Sequence, residues 1–130
     1  MKEKIIKEIE SLGSQLCEIS DFICKNPELG DHEYKAMEKL TGFLSDAGFE
    51  LEKGIVDRPT AFRAVYDSGL PGPAVAFLCE YDALPEVGHG CGHNMIGTMS
   101  CGAAIGLSKV IEKTGGRIVV LGTPAEETSG

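Results

Sequence analysis

From Lys2 to about Lys25, the apolar residues Ile5, Ile9, Leu12, Leu16, Ile19 and Ile23 recur at alternating steps of four and three, with charged residues between them. That spacing predicts one amphipathic helix. The same steps could form a coiled-coil seam, but the run covers only three heptads and Gly13 interrupts it, which favours a helix packed on its own domain. Cys17 and Cys24 lie beside the stripe and are expected as small core residues. The helix should stop at Asn26-Pro27-Glu28-Leu29-Gly30, where Pro27 pushes Asn26 out of the helical region and Gly30 tolerates positive φ. A second helix is expected from Asp31 or His32 to Ala47, with Tyr34, Met37, Leu40, Leu44 and Ala47 inward and Gly48 as its stop. His32, near its start, reads as a solvated or capping residue.

The pattern then changes to strands over Phe49 to Ile55, Thr60 to Tyr66 and Ala74 to Cys79, with the turn residues 67–73 suggesting that the last two form an antiparallel hairpin. Ala74 to Cys79 and Ile118 to Leu121 are apolar throughout, as expected of strands covered on both faces. Between them, Gly92 or Asn94 to about Lys113 predicts a helix whose Gly97, Gly102, Ala103, Ala104 and Gly106 allow close approach to a sheet. Strand, crossover helix and strand predict a right-handed parallel unit, so the fold class is α/β. No internal repeat, low-complexity segment or charged linker divides the chain, which reads as one domain. Its end at Thr128-Ser129-Gly130, directly after an acidic pair, looks like the N-terminal part of something longer.

Composition narrows the partners. At 130 residues, 42% hydrophobic and with a mean hydropathy of −0.01, the chain can bury one real core. A formal charge of −8 and no basic cluster argue against a nucleic-acid partner, because a phosphate backbone would be repelled. No run approaches the roughly 18 apolar residues of a membrane span, and the N-terminus lacks the pattern of a signal peptide. Five cysteines, odd in number and irregularly spaced, fit reduced thiols in a cytoplasmic protein better than a disulfide framework.

The candidate chemistry gathers at two strand ends. The third strand leads into Glu80-Tyr81-Asp82 and on to Gly88-His89-Gly90-Cys91-Gly92-His93-Asn94, while the last leads through Gly122-Thr123-Pro124-Ala125 into Glu126-Glu127. A parallel connection puts both clusters at one edge, where open α/β sheets bind ligands. Cys91 and His93 pair a thiolate with an imidazole across one flexible glycine, a spacing suited to a shared metal ion. Adjacent glutamates can converge only if the strand has already ended, and together could supply one ligand and one base for amide hydrolysis. Asp82 could hold a ligating His93 by its other nitrogen. Each residue also has a structural reading: Asp82 as a turn cap, Cys91 and His93 as buried side chains, Glu126 and Glu127 as a solvated pair. Their joint occurrence favours the functional one. A nucleophilic Cys91 is a weaker alternative, since no histidine placed as its base is evident.

Three motifs, Asp82-Ala83-Leu84-Pro85, Gly88-His89-Gly90-Cys91-Gly92-His93-Asn94 and Thr123-Pro124-Ala125-Glu126-Glu127, resemble in order and spacing the metal-dependent amidohydrolases of peptidase family M20, D branch. This branch includes auxin-conjugate amidohydrolases, hippurate hydrolases and p-aminobenzoyl-glutamate hydrolases; Asn26 to Gly30 resembles its N-terminal helix junction. The resemblance implies that Cys91, His93 and Glu127 are metal ligands, Glu126 the general base and Asp82 the aspartate that orients the metal site. It implies a divalent metal, zinc first with manganese or cobalt as alternatives, and two ions in the full-length enzyme. The implied fold is a three-layer α/β/α sheet of the zinc-exopeptidase type, incomplete at the C-terminus. Residues 1–130 would be the N-terminal part of the catalytic domain, with the lid and dimerisation domain, further histidines and the rest of that domain absent. The implied activity of a parent enzyme, a homodimer or higher, is hydrolysis of an amide in N-acyl amino acids, p-aminobenzoyl-glutamate-like conjugates or dipeptides, with the piece alone weak or inactive. Asn94, where many relatives carry aspartate, and Glu80-Tyr81 before Asp82 are closer to the p-aminobenzoyl-glutamate hydrolase and dipeptidase-like subset. His89 occurs in the same loop in that subset, and the resemblance assigns it no role. The alternative is a non-catalytic α/β binding or regulatory module.

Overall fold

In the computed structural model, which describes residues 1–129, the expected first helix is two: α1 (Lys2–Ser11) and α2 (Gly13–Lys25). They meet at Leu12, whose N–H donates to Glu8 and Ile9 while its carbonyl accepts from Leu16, so the break falls where Gly13 weakens the helix. Ile19 and Ile23 are buried, and Leu12 and Leu16 pack against the core as the stripe predicts. Cys17 and Cys24 are exposed instead. Each sits one residue beyond a stripe position, and one residue turns the side chain about 100° around the helix, off a narrow apolar face.

Helix α3 runs over Tyr34–Asp46, starting later than expected because Asp31 takes a left-handed φ of 64°. The carboxylate of Glu28 reaches forward to cap it, accepting from the N–H groups of Lys35 at 3.1 Å and Ala36 at 2.9 Å. Met37, Leu40 and Leu44 are buried, whereas Tyr34, in the first turn, faces solvent rather than the core. Truncating a fully buried leucine such as Leu40 to alanine costs about 2–5 kcal/mol.

The sheet contains β1 (Glu50–Lys53), β2 (Phe62–Asp67), β3 (Ala74–Cys79) and β4 (Arg117–Gly122) in the order β1-β2-β4-β3. The predicted hairpin between β2 and β3 is not formed. β4 lies between them, antiparallel to β2 and parallel to β3. The 67–73 loop passes around the start of β4 instead of turning tightly: Ser68 N–H donates to Gly116, Gly116 N–H to Leu70 and Arg117 N–H to Pro73. This wrap needs glycine at 115 and 116, where an added Cβ would lie 2.1 Å from the Pro71 carbonyl oxygen and 2.0 Å from that of Pro73.

The β3-α4-β4 unit, with α4 over His93–Ser108, has the expected parallel pairing. Ile118 and Val120 of β4, Cys79 of β3 and Phe62 and Ala64 of β2 share one core with Ile23, Leu40, Leu44, Cys101 and Ile105 of the helices. The alternate residues Ala76, Leu78, Val119 and Leu121 face away from it. β3 is an edge strand whose Leu78 is 56% exposed, so its apolar run is not covered on both faces here. The α/β sheet and one helical layer are therefore present among the described residues, and the second layer of the expected three is not. Among the described residues no helix is long and apolar enough to cross a membrane.

Candidate metal centre

The site forms where β3 and β4 end side by side. After Cys79, Tyr81 turns inward, stacks on Phe62 with ring centroids 5.9 Å apart, and donates its hydroxyl to the Thr60 carbonyl. Burial drives the Tyr81 phenol far above its ordinary value, so it stays a neutral donor. Residues Leu84 and Gly88 exchange both backbone hydrogen bonds, at 2.9 and 3.0 Å, and close the following loop. A short 3-10 turn, His89–Cys91, leads to Gly92 at φ +85°, the bend that lets α4 begin at His93.

His93 is buried. Its Nδ1 lies 2.9 Å from Asp82 Oδ1 and 3.0 Å from the Asp82 carbonyl oxygen. An imidazole donating Nδ1–H to this aspartate presents a bare Nε2 on its other side. That nitrogen lies 3.2 Å from Glu80 Oε2, 3.6 Å from Glu126 Oε2 and 3.7 Å from Glu127 Oε1. Asp82, itself fully buried, uses its second oxygen to accept Glu127 N–H at 3.0 Å.

Strand β4 stops at Gly122, and Thr123 N–H donates to the Cys79 carbonyl at 2.9 Å, joining the two strand ends. Pro124 and Ala125 make the turn into the short helix α5 (Glu126–Ser129). Leaving the strand is what allows Glu126 and Glu127 to approach the same imidazole.

Ligand atoms of Cys91, His93 and Glu127 all lie within 4.8 Å of one another, and so do those of Glu80, His93 and Glu126. A thiol, an imidazole nitrogen and a carboxylate so placed fit a borderline-soft divalent cation. Burial, and then the neighbouring Glu127, push the Cys91 thiol up against the lowering effect of backbone N–H donors. The thiol donates to the Asp82 carbonyl at 3.7 Å.

All five residues singled out in the sequence thus converge. Glu80, placed at the same strand end in the sequence but given no role there, joins them; its position two before Asp82 is one strand period away. Both ring nitrogens of His89 are buried without a hydrogen-bond partner among the described residues. Burial, followed by the charge of His93, lowers its pKa. His32 is exposed, its Nδ1 3.1 Å from the Gly30 carbonyl, and stands apart as a solvated residue.

Comparison with known proteins gives the same direction. The chain is 38% identical over 147 residues to the mouse Xaa-Arg dipeptidase, matching 100% of this chain and 33% of that protein. It is 35% identical over 138 residues to a p-aminobenzoyl-glutamate hydrolase polypeptide of Escherichia coli, matching 92% of this chain and 28% of that one. The chain is a homologue of these hydrolases. It spans about a third of the length of the curated relatives it matches. No family model matches it. A solved Bacillus subtilis protein described as a dinuclear metal-binding peptidase of the M20 family has the same fold, with a TM-score of 0.82 at 22% identity over 91% of this chain and 36% of that one. The names of these relatives agree with the hydrolase resemblance carried by the three sequence motifs.

Proposed function

We propose that this chain is the N-terminal part of the catalytic domain of a metal-dependent amide hydrolase. The observation that carries the reading is the His93 imidazole, fixed by Asp82 at Nδ1 and facing Glu126 and Glu127 with Nε2. Cys91 Sγ, His93 Nε2 and the Glu127 carboxylate would hold the divalent cation, zinc by the thiolate's preference, with manganese or cobalt as alternatives. When bound, such an ion polarises the scissile carbonyl and lowers the pKa of water. Glu126, the more exposed of the pair with 45% of its side chain accessible against 26% for Glu127, would accept the proton of the attacking water and deliver it to the leaving nitrogen. Asp82 would touch neither substrate nor water. It holds the His93 tautomer and the Glu127 backbone together.

The substrate class proposed is N-acyl amino acids, p-aminobenzoyl-glutamate-like conjugates or dipeptides, in keeping with the names of the relatives. A lid and dimerisation domain, the remaining ligands of a two-metal centre and a homodimeric or higher assembly are proposed for the whole protein. Five free cysteines support a reducing, cytoplasmic setting. The non-catalytic reading is not favoured, because it leaves the convergence on His93 without a purpose.

Elemental analysis of the purified chain beside Cys91→Ser and Glu127→Gln tests this reading. Bound zinc or manganese that both variants lose is the expected result, and assays on N-acyl amino acids and dipeptides with the full-length protein follow from it. Metal retained unchanged in both variants would sink the ligand assignment.

A further inference from the structure

Glu33 has 0% exposure, and no sequence pattern marks it for a role. It occupies the N-cap position of α3, yet its side chain makes no cap, since Glu28 already serves that helix. Instead the Glu33 carboxylate crosses to the site. One oxygen accepts the Thr60 hydroxyl at 2.8 Å, and the other accepts the N–H of Ala125 at 2.8 Å. Thr60 is in turn tied through its carbonyl to Tyr81, next to Asp82.

Ala125 is the residue that turns β4 into Glu126-Glu127. It is fully buried and takes φ +60°, a left-handed conformation that alanine adopts only against a cost. Such a conformation persists when its surroundings over-determine it. Here a carboxylate grips the Ala125 N–H, and the surface beneath is Gly30, where an added Cβ would lie 2.8 Å from Ala125 Cβ. Two residues later, Asp82 grips the Glu127 N–H at 3.0 Å. Glu126 is bracketed between two buried carboxylates that each accept a backbone donor.

We propose that Glu33 is a positioning residue for the metal centre, its carboxylate holding the left-handed Ala125 turn that aims Glu126 and Glu127 at His93. The proposal rests on the metal-centre reading for its consequence, and on the turn geometry alone for its structural content. It also accounts for the Asn26 to Gly30 junction: Glu28 frees Glu33 from capping, and Gly30 leaves room for the turn.

The test is amide hydrogen exchange of Ala125 and Glu127 by NMR on the 130-residue chain, with a cobalt(II) titration alongside. Glu33→Ala is expected to speed exchange at both amides by at least about tenfold and to weaken cobalt(II) binding by at least about tenfold, with exchange at Leu40 and Ile118 unchanged. Glu33→Gln keeps an acceptor for Ala125 and a partner for the Thr60 hydroxyl, and is expected to restore both readouts to within about twofold. Should Glu33→Ala fail to fold, Gly30→Ala strains the same turn from beneath and is expected to give the same two signatures. Unchanged exchange at Glu127 in folded Glu33→Ala or, where that variant does not fold, in Gly30→Ala overturns the proposal, even if cobalt(II) binding by the wild type and its loss in Cys91→Ser uphold the metal centre. The expected exchange response in a wild type that binds no cobalt(II) upholds the positioning role and sinks the metal reading.

Discussion

Asp82 Oδ1 lies 2.9 Å from His93 Nδ1, and both side chains are buried. The same carboxylate accepts Glu127 N–H, so one residue fixes the tautomer of one proposed ligand and the backbone of another. Removing such an orienting partner commonly lowers metal affinity by roughly 10–100-fold. Asp82→Ala is expected to fall in that range by calorimetric titration with zinc. Asp82→Asn, which keeps the shape and one acceptor oxygen, should lose less; equal affinity in all three proteins would remove Asp82 from the centre.

Glu126 and Glu127 divide by what else touches them. Glu127 shares a ligand set with Cys91 and His93 and has its backbone held by Asp82. Glu126 has the more exposed side chain. In the full-length protein, Glu126→Gln is expected to lower kcat by roughly 100- to 10,000-fold with metal content unchanged, as for loss of a general base. Glu127→Gln should lose metal and activity together. Elemental analysis paired with steady-state kinetics separates the two, and full activity in Glu126→Gln would refute its assignment as base.

Much of this centre could be read from the chain because its residues sit at strand ends and in short runs, where local sequence decides position. Cys91, Gly92 and His93 are neighbours, and Pro124 signals that the strand is over before Glu126. The sheet order was not readable in the same way. Pairing β4 between β2 and β3 depends on Gly115 and Gly116 admitting the 67–73 loop, a contact between segments more than forty residues apart. Cys17 and Cys24 misled because apolar character at the border of a stripe does not say how wide the buried face is. Glu33 was invisible for a related reason: its partners Thr60 and Ala125 lie 27 and 92 residues away.

Gly97 lies in the middle of α4, where alanine would favour the helix by roughly 1 kcal/mol. A Cβ there would lie 2.7 Å from the Glu80 carbonyl oxygen and 3.3 Å from Leu40 Cδ1, against backbone that cannot swing away. Overpacking of this kind costs about 1–3 kcal/mol. Gly97→Ala should therefore lower stability despite its propensity gain. At Gly102 the three atoms nearest the added methyl all belong to the Leu16 side chain, 3.0 Å away at the closest, which can shift. Gly102→Ala should be close to neutral, and urea midpoints of the two variants make the comparison.

Cys79 and Cys101 lie with Sγ atoms 3.9 Å apart in the core, and burial, then the hydrogen bond with Cys101, hold the Cys79 thiol well above its ordinary value of 9.0. The native state thus keeps a proton that the unfolded chain releases once the pH passes that value. Fewer protons on the unfolded state means that stability falls as pH rises, so the contribution is complete below about pH 9 and declines above it. Tyr81, also raised by burial, acts with the same sign at higher pH. Urea unfolding at about pH 8 and about pH 10.5 should show the wild type losing stability between them. Cys79→Ala starts lower, because it leaves a cavity beside Gly97, but should have the shallower pH slope. Tyr81 remains, so the slope should not vanish. Parallel slopes in the two proteins would show that the Cys79 thiol is not linked to alkaline unfolding.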